Sequence, residues 1–242
     1  MVEPDTAVLA VTRRRAAAFV VLAAAVVAWY LVAPHLGYPG HWPTIAIVAA
    51  GVLPATLGLI YLALPLWPNR WMIVAALVLG LIAFATWKLD WHLASNFAKL
   101  AAYTCFGWAF LRLFEELAWV VLVAAIIPFV DAISVAAGPT KEIVHHHVEV
   151  YSAVAVAFVA PAGAAAFLGP PDIAFYALFL AATVRWRLRP GWTWIAMTGM
   201  YGLTLVVADL ANVDGLPALP FLSAGFLLAN GDLLWRRLRR AR

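Results

Sequence analysis

Residues 118–131 of this chain read Ala118-Trp119-Val120-Val121-Leu122-Val123-Ala124-Ala125-Ile126-Ile127-Pro128-Phe129-Val130-Asp131. The run carries no charge until it ends on an aspartate, and its apolar length predicts a membrane-spanning helix. A second apolar stretch opens with an acid, Asp172, and continues through Leu180. An acidic side chain near the bilayer centre costs about 2.5–3.5 kcal/mol on insertion scales, so its retention needs a reason. Two such residues on separate spans indicate a shared functional site.

The composition assigns the chain to the polytopic membrane proteins. Hydrophobic residues make up 66% of the 242 residues, charged residues make up 12%, and the mean hydropathy is +0.93. Soluble domains average about 45–50% apolar and about 25% charged residues. A single cysteine, Cys105, excludes an internal disulfide. No soluble domain of useful size fits beside the expected spans, so residues 1–242 form one integral membrane domain.

Apolar runs separated by proline, glycine and charge predict an all-α bundle of about eight transmembrane helices. The region 138–164 interrupts this pattern. It predicts a surface amphipathic helix over the polar stretch 141–150, followed by a loose hydrophobic segment that enters the next span. The predicted spans lie near residues 16–34, 44–66, 71–87, 97–113, 116–137, 165–187, 192–209 and 216–235.

Positive charge predicts the orientation of these spans. The loops near 35–43 and 210–215 carry no Lys or Arg, whereas the arginines concentrate in the alternate loops and at both termini. The positive-inside rule then places both termini in the cytoplasm and requires an even number of spans. The arginine clusters favour contacts with membrane lipid headgroups over nucleic-acid binding. Three lysines depart from the pattern by falling on the outer side: Lys88, Lys99 and Lys141.

Two carboxyl groups brought close together in a low-dielectric site share one proton, so one serves as general base and the other as general acid. Such a dyad can activate water for attack on a peptide carbonyl without a metal or other cofactor. The run His145–His147 does not indicate a metal site, because consecutive helical residues point about 100° apart. The residues alone leave three roles open for Asp131 and Asp172: catalysis, proton-coupled transport, and hydrogen bonding between helices.

Three segments resemble, in order, motifs of the presenilin and signal-peptide-peptidase family of intramembrane aspartyl proteases. Asp131 is followed by a short apolar turn and then by Gly138-Pro139-Thr140-Lys141-Glu142-Ile143-Val144, which is similar to that family's Gly-Pro-x-basic-x-aliphatic segment. Gly169-Pro170-Pro171-Asp172 resembles its Gly-x-Gly-Asp motif, and Pro217-Ala218-Leu219 matches its Pro-Ala-Leu motif. The resemblance divides the chain into N-terminal spans at 1–115 and a presenilin-like catalytic half at 116–242.

The resemblance implies an intramembrane aspartic endopeptidase whose partners are transmembrane helical peptide substrates. Asp131 and Asp172 would be the catalytic residues. The span bearing Asp131 would run outward and the span bearing Asp172 inward, as on the signal-peptide-peptidase side of the family, which implies substrates with a cytoplasmic N-terminus. The substrate-binding residues would be Gly169, Pro170, Pro171, Pro217, Ala218 and Leu219.

Two residues depart from the family's motifs. Val130 stands where the family usually has tyrosine, and Pro171 replaces the second glycine of Gly-x-Gly-Asp. Proline fixes φ at about −65° and removes an N–H, so it stiffens the turn before Asp172, yet it is well tolerated at a helix start. Two alternatives therefore stand beside the protease. One is a catalytically weakened family member that binds transmembrane helices, and the other is a proton-coupled transporter or channel that uses the same acids.

Overall fold

The computed structural model describes residues 12–137, 151, 153–213 and 216–240. Within these residues, eight helical segments follow one another in the predicted order, with one short strand pair between the fifth and the sixth. The helices are α1 Arg13–Val32, α2 His41–Leu66, α3 Met72–Lys88, α4 His92–Leu111, α5 Leu117–Ala137, α6 Pro170–Arg185, α7 Pro190–Leu210 and α8 Leu219–Arg240. The strands are β1 Val156–Val159 and β2 Ala165–Leu168.

Four of these helices are long and apolar enough to cross a membrane: Arg13–His35, His41–Leu66, Leu117–Ser134 and Pro190–Leu210. The chain is therefore a helical protein with membrane-spanning segments. Of the roughly eight spans predicted, four are long and apolar enough to cross a membrane. One of the other helices, α6, is shorter than a typical span. Its 16 residues rise about 24 Å, less than the roughly 30 Å of a hydrocarbon core.

The helix α6 is the centre of the bundle. A helix that is hydrophobic all round is buried on every side, and α6 is buried from Ile173 to Val184 except at the partly buried Phe175. It packs closely against α4, where a Cβ added at Gly107 would lie 2.1 Å from the backbone oxygen of Ala174. On another side, the rings of Phe179 and Phe226 stack with centroids 4.8 Å apart. The second aspartate is thus carried by the most enclosed helix of the chain.

The chain ahead of α6 differs from the sequence prediction, which placed a span at 165–187 after a loose hydrophobic segment. That segment instead forms an antiparallel hairpin with Val156 opposite Leu168 and Val159 opposite Ala165, and the helix begins only at Pro170. The β-branched and aromatic residues of β1 favour a strand. Gly163, with φ +75°, provides the turn, and the paired prolines favour a helix start at that point. The amphipathic helix predicted at 141–150 lies outside the described residues.

Contacts between helix termini distinguish two ends of the bundle. At one end, which we call the arginine end, three guanidinium groups each reach a neighbouring helix. The bonds are Arg15 Nε to Leu62 O, Arg185 Nη1 to Leu111 O and Arg189 Nη1 to Asp232 Oδ1, each 2.8 Å long. The arginine end therefore gathers the start of α1, the ends of α2, α4 and α6, and the α7–α8 ion pair.

The opposite end, which we call the hairpin end, holds β1 and β2. The turn between these strands contacts the end of the first helix, because the N–H of Ala162 donates to Leu36 O at 3.0 Å. The start of α2 meets the end of α7 through His41 and Asp209, whose side chains are 2.6 Å apart. Since α5 follows Leu111 and α6 ends at Arg185, α5 runs toward the hairpin end and α6 runs away from it.

The close approach of α4 and α6 gives a stability prediction. Gly107→Ala should destabilise the protein by at least about 1–3 kcal/mol, because the new methyl group overlaps a backbone oxygen that cannot rotate away. Gly80→Ala is the matched control: it also lies within a helix, and a Cβ there meets nothing within 4 Å. Thermal unfolding in detergent should show a lowered Tm for Gly107→Ala and an unchanged or slightly raised Tm for Gly80→Ala. Equal Tm values would contradict the packing.

Candidate functional site

Asp131 lies in the last third of α5 and accepts a hydrogen bond from the start of α8. Its Oδ2 atom is 3.0 Å from the backbone N–H of Leu219. The first N–H groups of a helix have no partner within that helix, and the dipole there favours a negative charge. A carboxylate from α5 thus caps α8. The contact brings the first aspartate to the predicted Pro-Ala-Leu motif, of which Ala218 and Leu219 are buried and Pro217 is half-buried.

Asp172 is the third residue of α6, and its carboxylate folds back on the turn that precedes it. Its Oδ2 atom accepts from the N–H of Gly169 at 2.8 Å. Pro170 and Pro171 occupy the first two helical positions, where the missing N–H of proline is no loss. The segment that resembles Gly-x-Gly-Asp therefore begins a helix, as its prolines predict. Pro171 is exposed, whereas Gly169 and Pro170 are half-buried.

The two aspartates are close enough for their charges to interact. Both also act electrostatically on the hydroxyl groups of Tyr151 and Tyr201. The packing of the helices agrees with this short separation of the acids. Helix α5 packs against α8, and α6 contacts both of them. Two neighbouring carboxylates repel each other, and a single proton held between them relieves the repulsion. The pair can therefore exist with one carboxyl ionised and the other protonated.

A tyrosine that the sequence analysis did not single out holds the backbone beside Asp172. The hydroxyl of Tyr201 donates to the backbone oxygen of Asp172 at 2.9 Å. Its ring lies against Tyr176 with centroids 5.9 Å apart, and the hydroxyl of Tyr176 is 2.7 Å from Thr198 Oγ1. A sequence signal existed, because Thr198 and Tyr201 lie three residues apart on one face of a largely apolar helix. These hydroxyls tie α7 to the first turns of α6.

Two further acids, Asp232 and Asp209, have partners of their own, away from Asp131 and Asp172. Asp232 forms a two-pronged pair with Arg189 at the arginine end, with both N···O distances 2.8 Å. Asp209 contacts His41. No group of three His, Cys, Asp or Glu side chains in the described residues could hold a metal ion. The run His145–His147 falls outside the described residues.

No family model, curated protein or solved structure matches the chain. The resemblance to the presenilin and signal-peptide-peptidase family therefore stays a prediction from three sequence segments, and the geometry of the site is a separate observation. That geometry joins residues from distant parts of the sequence. The carboxylate of Asp131 meets Leu219, 88 positions away, and the charge of Asp131 reaches Asp172.

Proposed function

We propose that this chain is an intramembrane aspartic endopeptidase that cleaves transmembrane helices, in the manner of the presenilin and signal-peptide-peptidase family. One observation carries the proposal. Asp131, which interacts electrostatically with Asp172, also accepts the N–H of Leu219 in the Pro-Ala-Leu segment. The two aspartates and the Pro-Ala-Leu segment would thus contribute to one site, although 88 positions separate the first acid from Leu219. The Gly-Pro-containing stretch at 138–144 lies outside the described residues.

In the proposed reaction the dyad works with one proton. The ionised carboxylate takes a proton from a water molecule, and the water oxygen attacks the peptide carbonyl carbon. The protonated carboxyl gives its proton to the carbonyl oxygen, which forms a tetrahedral diol. When the diol collapses, a proton passes to the peptide nitrogen, the C–N bond breaks, and the dyad regains its single proton.

The backbone around the acids supports this role. Gly169 and Leu219 each direct an N–H at one carboxylate oxygen, and both lie at helix starts whose positions are fixed by packing. Donors fixed in advance stabilise charge without reorganising during the reaction. Each acid keeps a second carboxylate oxygen for water or substrate. In the proposed site, Pro170, Pro171, Pro217 and Ala218 shape the cleft for an unwound substrate.

A transmembrane substrate needs a lateral path to the acids, and α5 borders the surface of the bundle. Around Asp131 the side chains of Phe129, Val130 and Ile133 are 70%, 59% and 68% exposed. Large apolar side chains on a membrane protein face lipid or another transmembrane helix. A substrate helix can therefore approach along α5 from the bilayer. The replacement of the family's tyrosine by Val130 falls on this outward surface.

The orientation that we propose places the arginine end in the cytoplasm. The guanidinium groups of Arg15, Arg185 and Arg189 gather there, which fits the positive-inside rule. In this orientation α5 runs outward and α6 inward. Substrates would then be helices with a cytoplasmic N-terminus, as the signal-peptide-peptidase resemblance implies.

Cleavage of a labelled single-span peptide in liposomes tests the proposed function. Asp131→Asn and Asp172→Asn keep the size and one acceptor oxygen of each side chain, yet they remove the shared proton chemistry. Each variant should retain less than about 1% of the unmodified rate, since general acid–base catalysis contributes about 10²–10⁴-fold. Glu116→Gln, at an exposed acid outside the site, should cleave normally.

Three outcomes would contradict the protease. Cleavage that persists in Asp131→Asn or Asp172→Asn would remove the dyad from the reaction. An unmodified chain that cuts nothing but conducts protons, with the flux lost in both variants, would establish transport by the same acids. Binding of the peptide without cleavage or proton flux would identify a helix-binding protein instead.

Cysteine labelling in intact cells tests the proposed orientation. In a Cys105→Ala background, His35→Cys at the hairpin end should react with a membrane-impermeant maleimide. Arg239→Cys near the C-terminus should react only after the membrane is permeabilised, because the arginine end faces the cytoplasm. The reverse pattern would contradict the orientation and the substrate class together.

A further inference from the structure

The outward edge of β1 is closed by side chains from α1 and α4. Alternate carbonyl groups of an edge strand point away from its partner strand and need other donors. Within β1 these groups are Ala157 O and Val159 O, which accept from the Tyr30 hydroxyl at 2.6 Å and from Trp29 Nε1 at 2.9 Å. In the two residues just before the strand, Lys99 Nζ donates to Ala155 O at 2.6 Å and the Tyr103 hydroxyl donates to Val154 O at 2.7 Å.

Asn96 takes the place that a third strand would occupy. Its Nδ2 donates to Ala157 O at 3.0 Å, and its Oδ1 accepts from the N–H of Ala157 at 2.8 Å. A primary amide has the donor and acceptor of a peptide group, so it can satisfy both backbone atoms of one residue. Asn96, Lys99 and Tyr103 follow one another at spacings of three and four along α4, which puts them on one face of that helix.

The contact between α4 and the hairpin also explains why a lysine, Lys99, is buried within α4. Its side chain is only 7% exposed, and a buried ammonium group requires hydrogen-bond acceptors. The carbonyl oxygen of Ala155 is one of them. Lys99 therefore binds the backbone that leads into the hairpin. This role explains why it departs from the positive-inside pattern.

The hairpin leads directly to the second aspartate. β1 pairs with β2 in a fixed register, β2 ends at Leu168, and the next residue, Gly169, donates its N–H to the carboxylate of Asp172. A displacement of β1 would therefore also displace its partner strand β2 and the adjacent Gly169. The chain of contacts therefore runs from α1 and α4, through two strands, to the acid.

We infer that Tyr30, Asn96 and Lys99 are positioning residues, through which the N-terminal helices hold the hairpin and thereby fix Asp172 for catalysis. The inference rests on the proposed function where it concerns catalysis. It gives the spans before residue 116, which none of the three motifs covers, a role in the site. If these contacts only stabilised the fold, their removal would lower stability without changing kcat. The test therefore measures cleavage kinetics as well as hydrogen exchange.

The experiment compares Asn96→Leu, Lys99→Met and Tyr30→Phe with the control Thr104→Val. Thr104 is buried in the same helix, and its hydroxyl donates to Leu100 O within that helix, away from the hairpin. Amide hydrogen exchange in detergent and steady-state cleavage of the labelled peptide in liposomes are measured for each protein. Tyr30→Phe removes a single hydroxyl group, so it keeps the test informative where a larger change prevents folding.

The amides of β1 should exchange about two- to tenfold faster in the three variants than in Thr104→Val, as expected for the loss of one hydrogen bond. The kcat should fall about ten- to a hundredfold with KM nearly unchanged, because the acid is misplaced while the substrate still binds. Unchanged exchange in all three variants would overturn the inference. Faster exchange with unchanged kcat would overturn the catalytic part of it.

The two proposals fail separately. If the unmodified protein cleaves nothing, the proposed function is contradicted, and with it the catalytic role of the three residues. Hydrogen exchange still decides whether these side chains hold β1, because that measurement needs no activity.

Discussion

A peptide group shielded from water must find its hydrogen bonds within the protein, and this constraint governs the structure around the acids. Irregular backbone at membrane depth is tolerated only where protein or a water-filled cavity satisfies it. The central helix α6 has 16 residues, so extended chain continues from its start. Side chains from α1 and α4 satisfy the outward edge of that chain. The start of α8 is satisfied in the same way by the carboxylate of Asp131.

The same constraint connects the two halves of the molecule. The motifs that resemble the presenilin and signal-peptide-peptidase family all lie after residue 116, but the hairpin before Asp172 is held by Trp29, Tyr30 and Asn96. A site built only from the C-terminal half would leave the carbonyl groups of β1 without donors. Side chains of α1 and α4 therefore complete the hydrogen bonding of the hairpin that precedes Asp172, even though these helices carry none of the motifs.

Much of the architecture follows from the apolar pattern, because a long apolar run has few alternatives to a helix. Each predicted span contains a helix, and the prolines before Asp172 begin one. The hairpin was not predictable, since Tyr151 to Ala166 is apolar in either conformation and its strand pairing depends on distant donors such as Asn96 and Lys99. Similarly, the sequence predicts that Asp131 and Asp172 share a site, but the bond between Asp131 and Leu219 depends on how α5 packs against α8. The hydroxyl residues of α7 indicate a polar face, but the bond from Tyr201 to the backbone of Asp172 depends on how α7 packs against α6.

The central claim is that the side chains of Asp131 and Asp172 face a common point. Thiol crosslinking tests it most directly. In a Cys105→Ala background, the pair Asp131→Cys and Asp172→Cys is treated with a short bifunctional thiol reagent, and intramolecular crosslinks are identified by mass spectrometry. The pair Arg189→Cys and Asp232→Cys, whose native side chains are in contact, serves as the positive control. The account predicts a crosslink in both pairs. A crosslink between positions 189 and 232 with none between 131 and 172 would contradict it.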